Sequence, residues 1–161
     1  MYQDPEERSK KRLIAWGVLG IIVLILMIIG GVNLVSYHRT KTVEQNKLLT
    51  SSQPTVVMFY SKTCPDCKKI RGVVKKAEVS QQFATFASSS HGLQHQNMFV
   101  EWQNKYDKAL FKQYKINYVP TFMVFKNGQP QIFMINNRPY LNYSGTDPNA
   151  VRQIYTNLTV R

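Results

Sequence analysis

The chain of 161 residues is short of cysteine and of acidic residues. It has two cysteines, and only nine Asp or Glu against 21 Lys or Arg, which gives a formal net charge of +12. A structural zinc site usually takes four protein ligands, so two cysteines cannot form a four-cysteine site. Hydrophobic residues are not scarce, at 43% of the chain, and this excludes wholesale disorder and permits a packed core.

The shortage of acidic residues continues through the C-terminal two thirds of the chain. From Pro54 onwards there are fourteen Lys or Arg and five Asp or Glu. Such an excess favours contact with anionic lipid headgroups or an anionic wall polymer, although a solvated basic surface gives the same composition. No nucleic-acid-binding motif is visible, so we expect no nucleic-acid partner.

Charge is missing altogether from one long stretch, residues 13–35, which read LIAWGVLGIIVLILMIIGGVNLV. About 20 apolar residues in a helix cross the hydrocarbon core of a bilayer, so we predict one transmembrane helix here. The stretch is longer than the apolar region of a cleaved signal peptide, and no small-residue cleavage site follows it. We therefore interpret residues 13–35 as a retained signal anchor.

The basic residues on either side of this stretch predict its orientation. Four of them precede it closely: Arg8, Lys10, Lys11 and Arg12. Arg39 and Lys41 follow it, and the denser cluster tends to stay in the cytoplasm. We expect a short cytoplasmic N-terminus (1–12), a polar linker or short helix (36–53) and an extracytoplasmic domain (54–161). The protein would then be a single-pass protein of a bacterial cell membrane.

The predicted domain alternates strand and helix patterns. Strands are predicted at 55–60, 98–102, 121–126 and 131–136. Helices are predicted after Cys64, over 108–116 with Asp107 as its cap, and from Asp147 onwards. The order β-α-β-α-β-β-α predicts an α/β domain with a mixed sheet. Residues 80–97, rich in Ser, Gln and His, fit no single element, although the first helix could extend through them as far as Phe86.

Both cysteines lie in the motif Cys-Pro-Asp-Cys directly after the first strand. Two cysteines at this spacing form a redox couple, half of a zinc site or a structural disulfide. His91 and His95 would have to complete the zinc site, but a Pro-Asp pair between the cysteines is typical of a helix start. A structural disulfide across so short a loop restrains the unfolded chain little. A redox couple is the favoured interpretation, with no metal.

The position of the motif predicts a role for each cysteine. Only a thiolate attacks a disulfide, and the N–H groups and dipole at a helix N-terminus stabilise a thiolate. Cys64 is therefore the predicted nucleophile, and Cys67, one turn later, would resolve the mixed disulfide. Four neighbours are expected to tune the acidity of the dithiol: Pro65, Asp66, Lys68 and Lys62. The lysines favour the thiolate and Asp66 opposes it, so the direction of electron flow stays open.

A resemblance to the thioredoxin superfamily covers the chain from about Pro54 to Leu158. It is carried by VVMFYSKTCPDC (56–67), by YKINYVPTFMVFKNGQ (114–129), by Gln-Asn at 103–104 and by Gly145. The resemblance implies a thioredoxin-like fold after the membrane helix, with a Cys64–Cys67 redox-active disulfide and no other cofactor. It also implies that Pro120 is cis and that three residues bind substrate: Val119, Pro120 and Thr121.

The sequence departs from this family at the site itself. Cytoplasmic thioredoxins have Gly-Pro between the cysteines and Trp before them, where this chain has Pro-Asp and Thr63. They also bury an acidic residue in the strand before the motif, and Met58 stands there in this chain. Glu101 is the nearest acidic candidate, but we expect it to be solvated or salt-bridged. Loss of the buried acid argues against efficient general reductase activity.

These observations predict a membrane-tethered thiol–disulfide oxidoreductase that acts on cysteines of exported or cell-surface proteins or peptides. A reducing role would require a membrane electron-transfer partner. The alternative is a non-catalytic thioredoxin-like scaffold or interaction module in a membrane export, conjugation or peptide-secretion complex.

Overall fold

The computed structural model describes residues 16–24, 38–87, 95–156 and 158–160. The chain divides into two compact units, with the boundary between His38 and Arg39. The second unit therefore begins well before Pro54, where the sequence predicts the domain to start.

In the first unit, residues 16–24 form a helix. Its large apolar side chains are exposed, and Trp16 reaches 72% exposure. Within the described ranges, no helix has both the length and the apolar character that crossing a membrane requires. The predicted cytoplasmic N-terminus (1–12) and most of the predicted span (13–35) lie outside the described residues.

The described part of the second unit contains eleven elements. The helices are α1 (Thr42–Leu49), α2 (Pro65–Ala87), α3 (Lys108–Gln113) and α4 (Pro148–Thr156). The strands are β1 (Thr55–Tyr60), β2 (Gln96–Glu101), β3 (Thr121–Lys126), β4 (Gln129–Gln131), β5 (Phe133–Ile135), β6 (Arg138–Tyr140) and β7 (Asn142–Ser144).

Five of the strands form the mixed sheet that the sequence predicts. β1 lies inside it, parallel to β2, with Thr55 opposite Gln96 and Tyr60 opposite Glu101. On its other side β1 runs antiparallel to β3. The free edge of β3 is shared, because β4 pairs with its second half and β7 with its first half. The carboxyl ends of the parallel strands β1 and β2 thus lie side by side.

The core explains why β1 is apolar along its whole length. All six of its residues are buried, since both faces of the sheet are covered. A cluster of buried side chains on one face includes Phe59, which meets Phe111 of α3 edge to face at 5.1 Å between ring centroids. Elsewhere α2 packs against α4. The end of β1, where the cysteine motif begins, is therefore fixed from both sides.

The predicted strand over 131–136 is interrupted. β4 ends at Gln131, and the chain then makes a separate two-stranded sheet from β5 and β6 before returning to β3 as β7. Asn136 and Asn137 have φ angles of 49° and 62°, the left-handed pair that a tight hairpin turn requires and that Asn adopts readily. Phe133 is fully buried and also forms an antiparallel bridge with Val160. The predicted hairpin after β3 is therefore present, but β4 (Gln129–Gln131) is its second strand, and residues 133–135 belong to a second hairpin that turns at Asn136 and Asn137.

Two other boundaries differ from the predicted ones. α2 runs to Ala87, so the first part of the unassigned segment 80–97 is helix, and β2 begins at Gln96. α3 ends at Gln113 and not at 116, because Lys115 takes a positive φ of 52° and the N–H of Ile116 turns back to the carbonyl of Phe111.

Asp107 is the N-cap residue of α3, as predicted, but its side chain does not make the cap. Its carboxylate makes no cap hydrogen bond to α3; its main-chain carbonyl accepts instead from the N–H groups of Leu110 and Phe111. The carboxylate is fully buried and accepts the N–H of Glu101 at 2.8 Å. An aspartate side chain with a stronger buried partner is not available for capping.

The side chains that bind the Asp107 carboxylate come from the segment that the sequence predicts to be a linker or short helix. Arg39 donates to both carboxylate oxygens of Asp107, at 2.6 and 2.9 Å, and Gln45 of α1 donates to the same group at 3.0 Å. The N–H of Thr40 donates to the carbonyl of Phe99 in β2, and the hydroxyl of Thr40 accepts the N–H of Phe99. Residues 39–49 are thereby fastened to the domain and belong to its structure.

Candidate active site

Cys64 lies where β1 has ended and α2 begins. Its sulfur accepts the N–H of Cys67 at 3.5 Å, as an N-cap side chain would, and its carbonyl accepts the N–H of Lys68 at 3.2 Å. Pro65 follows at the first helical position, where no N–H is needed. Cys64 is partly exposed, so its sulfur combines access from solvent with a position at a helix N-terminus.

Cys67 is placed one turn further along α2 and is 1% exposed. Burial raises the pKa of its thiol to about 12, with Cys64 and Asp66 adding to the effect and a hydrogen bond from the main chain of Ser61 opposing it. Both cysteines are free thiols. The pair consists of one accessible sulfur and one buried, protonated sulfur.

The loop before β3 forms the other wall of the site. The Val119–Pro120 peptide bond is cis, as the resemblance implies, and the Cys64 thiol donates to the carbonyl oxygen of Val119 at 3.4 Å. Thr121 is buried, and its hydroxyl donates to the carbonyl of Tyr118 and meets the hydroxyl of Ser144, both at 2.7 Å. Val119 therefore faces the reactive sulfur, while Thr121 supports the loop from behind.

A glutamine holds the residues that precede the motif. Gln103 donates to the hydroxyl oxygens of Ser61 at 2.6 Å and Thr63 at 3.0 Å, and accepts the N–H of Lys62 at 3.4 Å. The contact follows from the parallel pairing of β1 and β2, because the residues after both strands emerge at the same edge. The sequence offered Gln103 as a family feature but no role for it; the signal was its position directly after β2.

Glu101 is both buried and paired. Its carboxylate lies 2.9 Å from the Lys62 ammonium and 3.5 Å from the hydroxyl of Tyr60, which donates to it. Of the two expected environments, solvated or salt-bridged, the salt bridge is confirmed, and Tyr60 and the end of β2 enclose the group. Burial and the Glu101 charge raise the pKa of Tyr60, so this phenol stays protonated.

Comparison with known proteins agrees with this geometry. The sequence model of the thioredoxin domain matches residues 36–142. A thioredoxin-like protein of Fusarium culmorum is 30% identical over 115 residues, covering 71% of this chain and 84% of that protein. Thioredoxin 1 of Synechococcus elongatus is 29% identical over 85 residues, covering 53% and 68%. The chain belongs to the thioredoxin family.

Solved structures support the same fold. Thioredoxin from Trypanosoma brucei brucei superimposes with a TM-score of 0.51 at 20% identity, covering 73% of this chain and 86% of that one. Oxidised thioredoxin from Plasmodium falciparum gives a TM-score of 0.50 at 17% identity, covering 71% and 89%. Membership of the thioredoxin family and the Cys64–Cys67 pair make this chain a thiol–disulfide oxidoreductase that acts on cysteines of protein substrates.

Within this thioredoxin site, the predicted tuning residues differ in what they contact. Pro65, Asp66 and Lys68 are exposed around the start of α2. Lys62 is directed to Glu101, so its charge is shared with a carboxylate. Met58, which stands where cytoplasmic thioredoxins bury an acidic residue, is fully buried in β1. The proton of Cys67 must therefore leave without a carboxylate at that position.

Proposed function

We propose that the protein is a membrane-tethered thiol–disulfide oxidoreductase for the cysteines of exported or cell-surface proteins. The observation that carries the redox part is the position of the Cys64 sulfur, accessible at the start of α2 and 3.4 Å from the Val119 carbonyl beside cis-Pro120. The exposed apolar side chains of residues 16–24 and the uncharged run 13–35 support the tether.

The exchange proceeds in two displacements. The Cys64 thiolate attacks one sulfur of a client disulfide, forms a mixed disulfide and releases the other client sulfur as a thiolate. Cys67 then loses its proton to solvent and attacks the Cys64 sulfur, which closes the Cys64–Cys67 disulfide and releases the second client thiolate. The client gains two electrons and the dithiol loses two. The reverse sequence oxidises a client dithiol.

The reduction potential of the Cys64–Cys67 pair determines whether the protein reduces or oxidises its clients. A value near that of a reducing thioredoxin, roughly −270 mV, assigns the protein to client reduction with electrons from a membrane partner. A value near roughly −120 mV assigns it to client oxidation.

Client capture in cells tests the function. Cys67→Ala leaves Cys64 without its resolving partner, so clients should accumulate as mixed disulfides that a reductant releases. The matched control is the Cys64→Ser/Cys67→Ala double variant, which keeps the fold and lacks the nucleophile. Equal amounts of adduct with both variants, or none with either, would contradict catalysis and leave the scaffold alternative.

Localisation is tested separately on the full chain. A tether predicts that the protein stays with membranes after alkaline extraction, and that a membrane-impermeant thiol reagent labels Cys64 in intact, pre-reduced cells. Labelling that requires lysis would place the dithiol on the cytoplasmic side and overturn the proposed clients.

A further inference from the structure

A pocket formed by residues between the end of β2 and the loop before β3 has an aromatic and aliphatic lining and three lysines. Trp102 meets Phe111 edge to face at 4.9 Å between ring centroids, and Ile116 completes the apolar lining. The rim carries three exposed lysines, namely Lys108, Lys112 and Lys115. Asn117 also lines the pocket, and its lining includes no acidic residue. We call this surface the basic pocket.

No acidic side chain that the structure describes neutralises the charge of the lysines in the basic pocket. Among the described residues, none of the three lysines forms a salt bridge. The two acidic residues nearest in sequence, Glu101 and Asp107, are buried and pair with Lys62 and Arg39 instead. Three lysines without a salt bridge in the described ranges therefore line the same pocket as Trp102, which is 49% exposed although it is a large aromatic residue.

The pocket is connected to the active site through the main chain on two sides. The main-chain N–H of Trp102 donates to the carbonyl of Tyr60, at the end of the strand that leads to the cysteines. On the other wall, Asn117 is two residues before Val119, whose carbonyl contacts the Cys64 thiol. Two residues span at most about 7 Å. A polypeptide whose cysteine reacts at Cys64 has its neighbouring residues within reach of this pocket.

We propose that the basic pocket binds an acidic segment of the client polypeptide next to its reacting cysteine; this rests on the proposed function. The rim lysines attract Asp and Glu side chains, and the exposed face of Trp102 supplies the apolar contact that commonly carries binding energy. The pocket thereby selects acidic clients, a preference that the cysteines themselves do not supply.

A binding measurement tests the pocket without the redox reaction. The full chain in detergent carries Trp16→Phe, which leaves Trp102 as the only tryptophan, and Cys64→Ser with Cys67→Ser. The probes are two cysteine-free peptides of equal length, one rich in Asp and Glu and one rich in Lys. The acidic peptide should change Trp102 fluorescence saturably, and the basic peptide should not.

Two charge-matched triple variants locate the effect. Lys108→Gln/Lys112→Gln/Lys115→Asn should weaken binding of the acidic peptide about tenfold; Asn is used at 115 because it tolerates the positive φ there. Lys69→Gln/Lys76→Gln/Arg152→Gln removes as many charges between α2 and α4 and should change the Kd less than twofold. No saturable change in the parent protein, or equal weakening in both triples, would overturn the proposal.

Reaction rates measured with both cysteines intact then distinguish failure of the pocket proposal from failure of the redox function. For disulfide peptides that differ only in flanking residues, the acidic one should react with a kcat/KM about tenfold higher, and the basic-pocket triple should remove this preference. Equal reactivity of acidic and neutral peptides in the parent would overturn the preference while the redox function stands. Saturable binding of the acidic peptide without reaction of either disulfide would support the pocket and contradict the proposed function.

Discussion

Arg39 and Asp107 form a two-point ion pair in which the guanidinium reaches both carboxylate oxygens, at 2.6 and 2.9 Å. The carboxylate is fully buried, while the arginine is 18% exposed. Asp107 also receives the N–H of Glu101 at the end of β2. The pair thus connects the first residue of the domain unit to the loop that carries Gln103.

Removing Arg39 should destabilise the domain strongly, because breaking a buried pair leaves an unpaired charge at a cost of about 3–5 kcal/mol. Arg39→Met should therefore lower the free energy of unfolding by roughly 3 kcal/mol in chemical denaturation. Lys47→Met is the matched control, since this exposed lysine of α1 forms no salt bridge among the described residues. Equal stability of the Arg39→Met variant and the parent would show that the pair does not hold the segment.

Gln103 is predicted to position the reactive loop. Gln103→Ala removes hydrogen bonds to Ser61, Thr63 and Lys62, each worth about 1 kcal/mol. We expect kcat/KM toward a disulfide substrate to fall about fivefold, with faster amide exchange over residues 61–64 and a shifted reduction potential. Gln53→Ala, which removes only an exposed contact with Gln96, should leave all three unchanged. A loss of stability with an unaltered potential would assign Gln103 a structural role alone.

Burial of Cys67 predicts the pH dependence of the resolving step. Burial is the largest cause of its raised pKa and persists when Cys64 is in a mixed disulfide, so below that pKa the thiolate fraction of Cys67 grows about tenfold for each pH unit. Release of a model thiol from a Cys64 mixed disulfide should therefore accelerate about tenfold per unit from pH 6 to 9, without a plateau. Rapid acid quenching and mass spectrometry give this rate. A plateau near pH 7 would show that another group withdraws the Cys67 proton.

Glu78 of α2 predicts how stability changes with pH. Burial raises its pKa to about 7, although Asn97 and Lys75 partly oppose the shift. An acid whose pKa is raised by folding stabilises the fold fully below its ordinary value of about 4.5, and this contribution is lost as pH rises through 7. Glu78→Gln should thus be more stable than the parent at pH 8, by up to about 3 kcal/mol, and equal to it near pH 4.5.

His95 changes the stability with pH in the opposite direction to Glu78. The two proteins that are compared must therefore both contain it. Burial lowers the pKa of His95 to about 4, so its contribution is lost as pH falls from 6.5 toward 4. Both proteins carry His95, so its effect cancels in their difference. Parallel stability curves for the Glu78→Gln variant and the parent between pH 5 and 8 would contradict the prediction.

The features that the sequence predicts correctly are those encoded locally. The apolar run of β1, the helix start at Pro65 and the Lys-Asn-Gly turn depend on neighbouring residues and are found where expected. Cis-Pro120 was expected from resemblance and is present.

The features that were missed depend on contacts between distant segments. The Arg39–Asp107 pair joins residues 68 apart, and the contacts of Gln103 with Ser61 require the register of β1 against β2. The salt bridge of Glu101 was among its expected environments, but its burial was missed because acidic residues are rarely buried, and the hydroxyl of Tyr60 that helps to enclose it lies 41 residues away. Polar residues of this kind have no periodic pattern that reveals their partners.

Cys64 is assigned as the nucleophile and Cys67 as the resolving cysteine. Mapping a trapped mixed disulfide tests this assignment most directly. Cys67→Ala, incubated with a disulfide peptide, should form one covalent adduct, and peptide mass mapping should locate it on Cys64. Cys64→Ala should form almost none over the same time, because its remaining thiol is buried. An adduct on Cys67 at a comparable rate, or no adduct on Cys64, would contradict the account.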